Sequence, residues 1–392
     1  MNWLIELRQR LHQSPELAFE EHQTAAILRE ELKRLARIYS TPEHIRAGAT
    51  ELIIHDFDST GFLLEYSGGG DAYRLFRADM DALPITEATG CSFASQQPGV
   101  MHACGHDVHM TVLMGLIEKV LANQPRQNLL FLFQPAEEGK GGAQSVLAEG
   151  IIQQYPIEAV FALHVASGMP VGTISSRAGI IFGIPQEFDV RFQGKSAHVA
   201  FPEKGRDAIA AAAEFMLLMQ ADISELKKKE RVIYHLGTIN GGSIRNVIAQ
   251  SCLLEGTHRS LKPQVRDQMN DLTRKNAAQA AQKIGCESEV EVLCSYDPVV
   301  NDARWVEALQ EVAAKLDVNY EEAATEMTGE DFGFFTTLYP GVLFWLGSEC
   351  QHSLHSPQFL PDEAAIEVGV KVMWELASRA PGNSGQGARK RA

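Results

Sequence analysis

Hydrophobic positions at the start of the chain recur at helical spacing. Leu4, Leu7 and Leu11 form one run and Ala25, Leu28, Leu32 and Leu35 another, with Ser14-Pro15 breaking the pattern within residues 3–36. Short strand-like runs follow: ELIIHDF (51–57), FLLEY (62–66) and YRLFRAD (73–79). The glycine run SGGGD (67–71) joins the second to the third. No Lys-Ser/Thr pair or helix start follows it, so a hairpin turn is expected rather than a phosphate loop. NLLFLFQ (128–134) and EAVFALHV (158–165) are continuously apolar, the pattern of strands buried on both faces of a parallel or mixed sheet. Helical segments near 106–122 and 142–150 fall between them, giving the alternation of an α/β domain.

The pattern changes near residue 180. EFDVRFQG (187–194) alternates strictly, with Phe188, Val190 and Phe192 on one face and Glu187, Asp189 and Arg191 on the other, which predicts a half-exposed strand. An Ala-rich helix (205–226), strands at 231–239 and 247–258, a helix at 263–284 and the strand SEVEVLC (288–294) complete a ferredoxin-like β-α-β-β-α-β order. Helix–strand alternation resumes near 297 and ends in a helix over 362–379. The expected fold is therefore α/β, with two parts. A discontinuous domain (1–179 and 297–379) carries a mixed, mostly parallel sheet flanked by helices, and an α+β domain (180–296) is inserted into it. The tail, 380–392, is Gly-rich and basic without apolar anchors, and is expected to be disordered.

Composition narrows the function classes. The 392 residues, 45% hydrophobic and 22% charged, suit a globular protein of two domains. A net charge of −15 argues against nucleic acid or an anionic membrane as the main partner. The opening stretch carries Glu6, Arg8 and Arg10 and does not read as a signal peptide. No apolar run approaches the roughly 18 residues of a spanning helix. Six cysteines (91, 104, 252, 286, 294, 350) without paired spacing point to a reducing, cytoplasmic setting.

The densest chemistry is MHACGHDVH (101–109), with three histidines, a cysteine and an aspartate in nine positions. It precedes an apolar helix, so Cys104 lies just before a helix N-terminus and His106 and His109 near its start. Such a terminus lowers a thiol's pKa, and the thiolate is the metal-binding form. In FLFQPAEEGKGGA (131–143) the adjacent Glu137 and Glu138 follow a buried strand, and a cation would relieve their repulsion. His164 closes an apolar strand, His355 precedes a Ser-Pro turn, and Asp79 and Asp81 in RADMDALP could hold imidazoles. Each element alone has an ordinary explanation as a core, capping or surface group. Together they supply one thiolate, three imidazoles, a carboxylate and a spare glutamate. A closed structural zinc site takes four ligands and has no use for a further acid. Two open metal ions sharing a bridge fit better.

Motifs along nearly the whole chain, RADMDALP, MHACGHDVH, QPAEEGKGGA, GKSAHVAFPEKGRDAI, NVIAQSCLLEGTHRSL, MTGEDFGFF and LHSP, resemble in kind and order the di-metal amidohydrolase family of aminoacylases, hippurate hydrolases and glutamate-releasing carboxypeptidases. Within it, FASQQPGVMHACGHDVHM, NLLFLFQPAEEG, FWLG and PDEAAIE are most similar to the N-acetyldiaminopimelate deacetylases of bacterial lysine synthesis. The resemblance implies metal ligands Cys104, His106, Glu138, His164 and His355 for two divalent ions, zinc, cobalt, manganese or nickel, with Cys104 as the bridge. It implies Glu137 as general base, His198 as oxyanion partner, and Asp79, helped by Asp81, as orienting a ligand; Asn246 and Arg259 are candidate grips on the substrate carboxylate, with a surface salt bridge the open alternative for Arg259. Glu330 and Asp331 either shape the pocket or cap the helix after them. The substrate is expected to be a small N-acyl amino acid, and the inserted domain a lid through which a homodimer forms. Hippurate, N-acyl aromatic amino acids and N-acetyl-cysteine conjugates remain alternative substrates. A non-catalytic metal-binding member of the fold remains an alternative function, against which the retained Glu137 argues.

Overall fold

The computed structural model describes residues 1–39 and 52–379, so the tail at 380–392 and the first residue of the expected strand at 51 lie outside the described residues. Helix α1 (Asn2–Gln13) and α2 (His22–Tyr39) precede strands β1 (Ile53–Asp56), β2 (Phe62–Tyr66) and β3 (Tyr73–Asp79). Helix α3 (His106–Asn123), β4 (Asn128–Gln134), the short α4 (Glu137–Lys140) and α5 (Gly142–Ala148) lead to β5 (Ile157–Ala166) and β6 (Thr173–Ser176). β7 (Gly179–Phe182), β8 (Ile184–Gln193), α6 (Ala208–Leu226), β9 (Ile233–Gly241), β10 (Ser251–Ser260), α7 (Pro263–Ile284), β11 (Glu287–Ser295) and β12 (Val299–Asn301) follow. The chain closes with α8 (Ala303–Leu316), β13 (Asn319–Glu322), α9 (Gly333–Leu338), β14 (Gly341–Gly347) and α10 (Ala364–Ser378).

The chain forms two compact units. The first, Met1–Gly179 with Asn301–Ala324 and the chain from Leu338, holds an eight-stranded sheet ordered β1-β2-β4-β3-β5-β14-β6-β13. Its central run, β4-β3-β5-β14, is parallel. Apolar runs predicted to be buried are so: every residue of β4 is buried. Helix α3 is buried almost all round and packs against α1 and α10, as a helix lacking a polar face must.

One expectation fails in this sheet. SGGGD is not a hairpin turn, because β4 lies between β2 and β3, antiparallel to the first and parallel to the second. The glycines cross the start of β4 instead. Asn128 accepts the Gly69 and Gly70 N–H groups at 3.0 and 3.2 Å, and its amide donates to the Gly70 carbonyl at 2.7 Å. A Cβ on Gly68 would meet the Pro125 and Gln127 carbonyl oxygens at 2.3 and 2.4 Å, so the crossing needs glycine there.

The second unit, Ile180–Val300 with Thr325–Thr337, holds an antiparallel sheet ordered β11-β8-β10-β9, covered by α6 and α7. That order and connectivity are ferredoxin-like. Phe188, Val190 and Phe192 face its core with Phe215, Leu254 and Met269. Asp189, expected on the exposed face, is 7% exposed and pairs with Arg191 at 3.1 Å. Residues 325–337, expected in the first part, pack here. Glu326 N–H donates to the Ile181 carbonyl at 2.8 Å, and its own carbonyl accepts from Gly183 at 3.0 Å. Among the described residues no helix is long and apolar enough to cross a membrane.

Candidate metal centre

The first unit gathers the predicted ligands at the ends of its elements. Ligand atoms of Cys104, His106 and His164 lie within 4.8 Å of one another, and so do those of Cys104, Glu138 and His355. Cys104 belongs to both triads. His106, Glu137 and Glu138 form a further group of the same compactness, which places the spare acid beside the ligand set.

Hydrogen bonds fix which ring nitrogen faces inward. His106 Nδ1 donates to the Asp81 carbonyl at 2.8 Å, leaving Nε2 buried without a hydrogen bond among the described residues. His164 Nδ1 donates to the Val165 carbonyl at 2.9 Å, so its Nε2 faces Cys104 Sγ at 3.4 Å. Glu138 Oε1 is buried outside hydrogen-bond geometry, 3.3 Å from His355 Nε2. Inward imidazole nitrogens, a carboxylate oxygen and a thiol, two of them orphaned, fit a borderline divalent cation such as zinc or cobalt. His355 has left-handed backbone, φ 65°, and its N–H is held by the Ala103 carbonyl at 2.9 Å, which ties this candidate ligand to the Cys104 loop.

The electrostatics read as a site short of positive charge. Burial, then Glu138, Glu137 and Asp79, push the Cys104 thiol well above its ordinary value. This reverses the expected effect of the helix N-terminus, because burial and three carboxylates outweigh the roughly half charge at a helix end. Burial opposes charge on His106, yet Asp79, Asp81 and Glu138 raise it to about 10. Burial lowers His164 to about 4, the neutral form that ligates. A bound dication displaces such protons and favours the thiolate.

Around the ligands sit buried carboxylates. Asp79 pairs with Arg77 at 2.5 Å and His109 Nδ1 at 2.6 Å, while His106 Nε2 lies 3.8 Å away. Its direct partner is therefore His109, whereas the backbone of Asp81 orients His106. The Asp81 carboxylate accepts the Glu137 and Glu138 N–H groups at 3.1 and 2.9 Å. The turn before them is tight. Ala136 is left-handed at φ 56°, and a Cβ on Gly142 would meet the Pro135 carbonyl oxygen at 1.7 Å. At the start of α3, Asp107 takes hydrogen bonds from Arg8 Nε at 2.8 Å and His12 Nδ1 at 2.9 Å, and His12 Nε2 reaches Glu87 at 3.3 Å. Sequence reasoning did not find Arg8 or His12 in these roles; their signal was a charge inside an otherwise apolar helical face.

The other predicted residues belong to the second unit. His198 and Asn246 are exposed and share a paired turn, in which Val199 N–H donates to the Asn246 carbonyl at 3.1 Å. Arg259 lies near the far end of β10, hydrogen-bonded to Thr257 and to the His258 carbonyl at 3.2 Å. Asn246 precedes β10, whose residues Ser251 to Arg259 span about 27 Å at roughly 3.4 Å per residue, so Asn246 and Arg259 lie toward opposite ends of that strand. Glu330 accepts from Phe332 N–H at 3.0 Å, a cap before α9.

Comparison with known proteins places this geometry among relatives. A family profile described as peptidase family M20/M25/M40 matches residues 75–379. A protein of Shouchella clausii (strain KSM-K16) named N-acetyldiaminopimelate deacetylase is 36% identical over 375 residues, covering 95% of this chain and 97% of that one. A protein of the same name from Bacillus subtilis (strain 168) is 36% identical over 379 residues, covering 94% and 96%. A Bacillus subtilis crystal structure described as a dinuclear metal binding peptidase from the M20 family superposes with a TM-score of 0.80 at 30% identity, covering 96% and 97%.

Proposed function

This chain belongs to peptidase family M20/M25/M40, and we propose that it removes the acetyl group from N-acetyl-L,L-2,6-diaminopimelate by metal-dependent hydrolysis, releasing diaminopimelate and acetate. The observation that carries the reading is the pair of ligand triads meeting at Cys104 with Glu137 beside them. Relatives named for this activity at 36% identity along almost the whole chain support the substrate.

Cys104, His106, Glu138, His164 and His355 would hold two divalent ions, zinc, cobalt, manganese or nickel, which supply carbonyl polarisation and an acidified water. Glu137 takes the proton of the attacking water and passes it to the departing amine nitrogen. Glu138, its neighbour, stays committed to the ligand set, so one acid is pinned while the other shuttles. His198 donates to the developing oxyanion and Arg259 holds substrate carboxylate as a planar fork, while Asn246, beyond the other end of β10, reaches that carboxylate from a second copy of the chain. The setting is lysine synthesis in the cytoplasm.

A homodimer forms through the second unit. β9 is an edge strand, and Ile233 and Ile239 on it are 45% and 51% exposed. Ile209, Met216 and Leu217 on the outer face of α6 are also exposed, and Ile209 meets the end of β9 at Gly241. An unpaired edge beside an apolar helix face is the kind of surface a second copy covers.

The test is hydrolysis of N-acetyl-L,L-diaminopimelate, hippurate and N-acetyl-methionine by protein reloaded with cobalt, manganese or zinc, each beside Glu137→Gln. Preference for the diaminopimelate, lost in the variant, supports the reading. Faster turnover of hippurate or acetyl-methionine keeps the chemistry and overturns the substrate. Two bound metals with no turnover overturns hydrolysis.

A further inference from the structure

Glu21 is fully buried just before α2, far in sequence from the metal centre. Its carboxylate makes hydrogen bonds that join separate segments. Oε1 accepts from Phe19 N–H at 3.0 Å and from Ala136 N–H at 2.9 Å, and Oε2 accepts from the Thr60 hydroxyl. Ala136 is the residue before Glu137 and one of the few non-glycine residues with left-handed backbone. That conformation persists in an L-residue only where its surroundings over-determine it. Here they do. Glu21 takes the Ala136 N–H, Gly142 N–H donates to the Ala136 carbonyl at 2.9 Å, and Asp81 takes the next two N–H groups.

Two buried carboxylates thus clamp three consecutive peptide N–H groups, those of Ala136, Glu137 and Glu138. Asp81 also contacts His106, so its removal would disturb a ligand directly. The Glu21 hydrogen bonds run instead to Phe19, Thr60 and Ala136, whose backbone precedes the proposed base. Burying a carboxylate is unfavourable unless its acceptors are used, and burial pushes the Glu21 carboxyl above its ordinary range. A merely structural tie between α2 and the sheet could be made by an apolar contact.

We infer that Glu21 is a positioning residue for hydrolysis: through the Ala136 N–H it holds the left-handed turn that aims Glu137 and Glu138. The inference rests on the proposed roles of those two acids. Losing the clamp lets the turn relax, which misplaces the base and distorts the carboxylate ligand while the substrate grips stay intact.

Three variants test it in the full-length, cobalt-loaded protein. Glu21→Ala removes the acceptor. Glu21→Asp keeps the charge but withdraws it by one methylene, and serves if the alanine variant does not fold. Glu21→Gln keeps an acceptor oxygen for Ala136 and Phe19 and can donate to the Thr60 hydroxyl. For Ala and Asp, kcat is expected to fall about 10- to 100-fold, as for lost supports of a metal site, with KM changed less than about twofold. The visible absorption of bound cobalt shifts, and Gln restores both readouts. Leu28→Ala in α2 is the control, losing thermal stability without moving kcat or the cobalt spectrum. An unchanged kcat and spectrum in Glu21→Ala overturns the inference, as does equal impairment of Ala and Gln. If the unaltered protein hydrolyses no N-acyl amino acid, the functional reading falls, and the cobalt spectra of Ala, Asp and Gln still decide whether the clamp orients Glu138.

Discussion

Asp79 Oδ1 lies 2.6 Å from His109 Nδ1, and both side chains are buried. The pair does not end there. His109 Nε2 accepts the Val165 N–H at 3.0 Å, beside His164. An imidazole that donates at Nδ1 and accepts at Nε2 is a neutral, fixed tautomer, and burial lowers His109 to about 4 in agreement. Asp79, with burial opposed by Arg77, His106 and His109, is held well below the usual carboxylate range. Asp79→Asn puts an amide donor against either His109 or Arg77. Metal affinity is expected to fall about 10- to 100-fold, read by titrating stripped protein with zinc against a competing chelator. Unchanged affinity would mean the His109 relay does not support His164.

Glu137→Gln separates the base from the ligands. The backbone clamp on residue 137 is retained, since Asp81 bonds its N–H and not its side chain. The expected outcome is a loss in kcat of about 10²- to 10⁴-fold with metal content per chain unchanged by atomic emission. Loss of metal alongside activity would make Glu137 a ligand.

Acid sensitivity has a source at His102. Its ring is 1% exposed with both nitrogens outside any hydrogen bond among the described residues, and burial lowers its pKa to about 3. The folded protein therefore keeps His102 neutral where the unfolded chain, with its ordinary value of 6.5, takes up a proton. Stability from this group is complete above about pH 6.5 and declines as pH falls toward 3. In chelated protein, His102→Leu should raise the thermal midpoint at pH 5 by more than at pH 7.5. An equal change at both values would show that His102 does not drive the acid limb.

Charges placed on the apolar edge test association. Ile239→Glu with Leu217→Glu is expected to convert a dimer to a monomer in sedimentation velocity while far-ultraviolet circular dichroism is unchanged, because both side chains are more than half exposed. A dimer that survives the double substitution lies on another face.

Periodicity made most elements legible. The apolar runs of β4 and β5 and the full length of α7 follow from local pattern, since a buried strand and an amphipathic helix each write their burial into consecutive residues. The crossing at SGGGD was not legible. A glycine turn looks alike whether the strands it joins pair with each other or with a third strand between them. The candidate ligands stood out as residue types near element ends, and the structure brings them together, while the roles proposed for them come from the motif resemblance. The supports were not. Glu21 reaches Ala136 and Arg8 reaches Asp107 across long stretches of chain, and a left-handed alanine carries no compositional mark. Asp79 and Asp81 were recognised as supports, but which histidine each serves depends on distances of an ångström.

The strand order has a bearing on how the protein is made. β14 lies between β5 and β6, and its Trp345 stands opposite His164 in register. The wall that carries His164 therefore stays open along one edge until residues 341–347 have left the ribosome, long after Cys104, His106 and Glu138 have emerged. Contacts so distant in sequence are slow to form and leave an unpaired, apolar strand edge exposed meanwhile. The metal centre is thus among the last parts of the molecule to be finished during synthesis, and the nascent chain is most in need of protection while β5 waits for its partner.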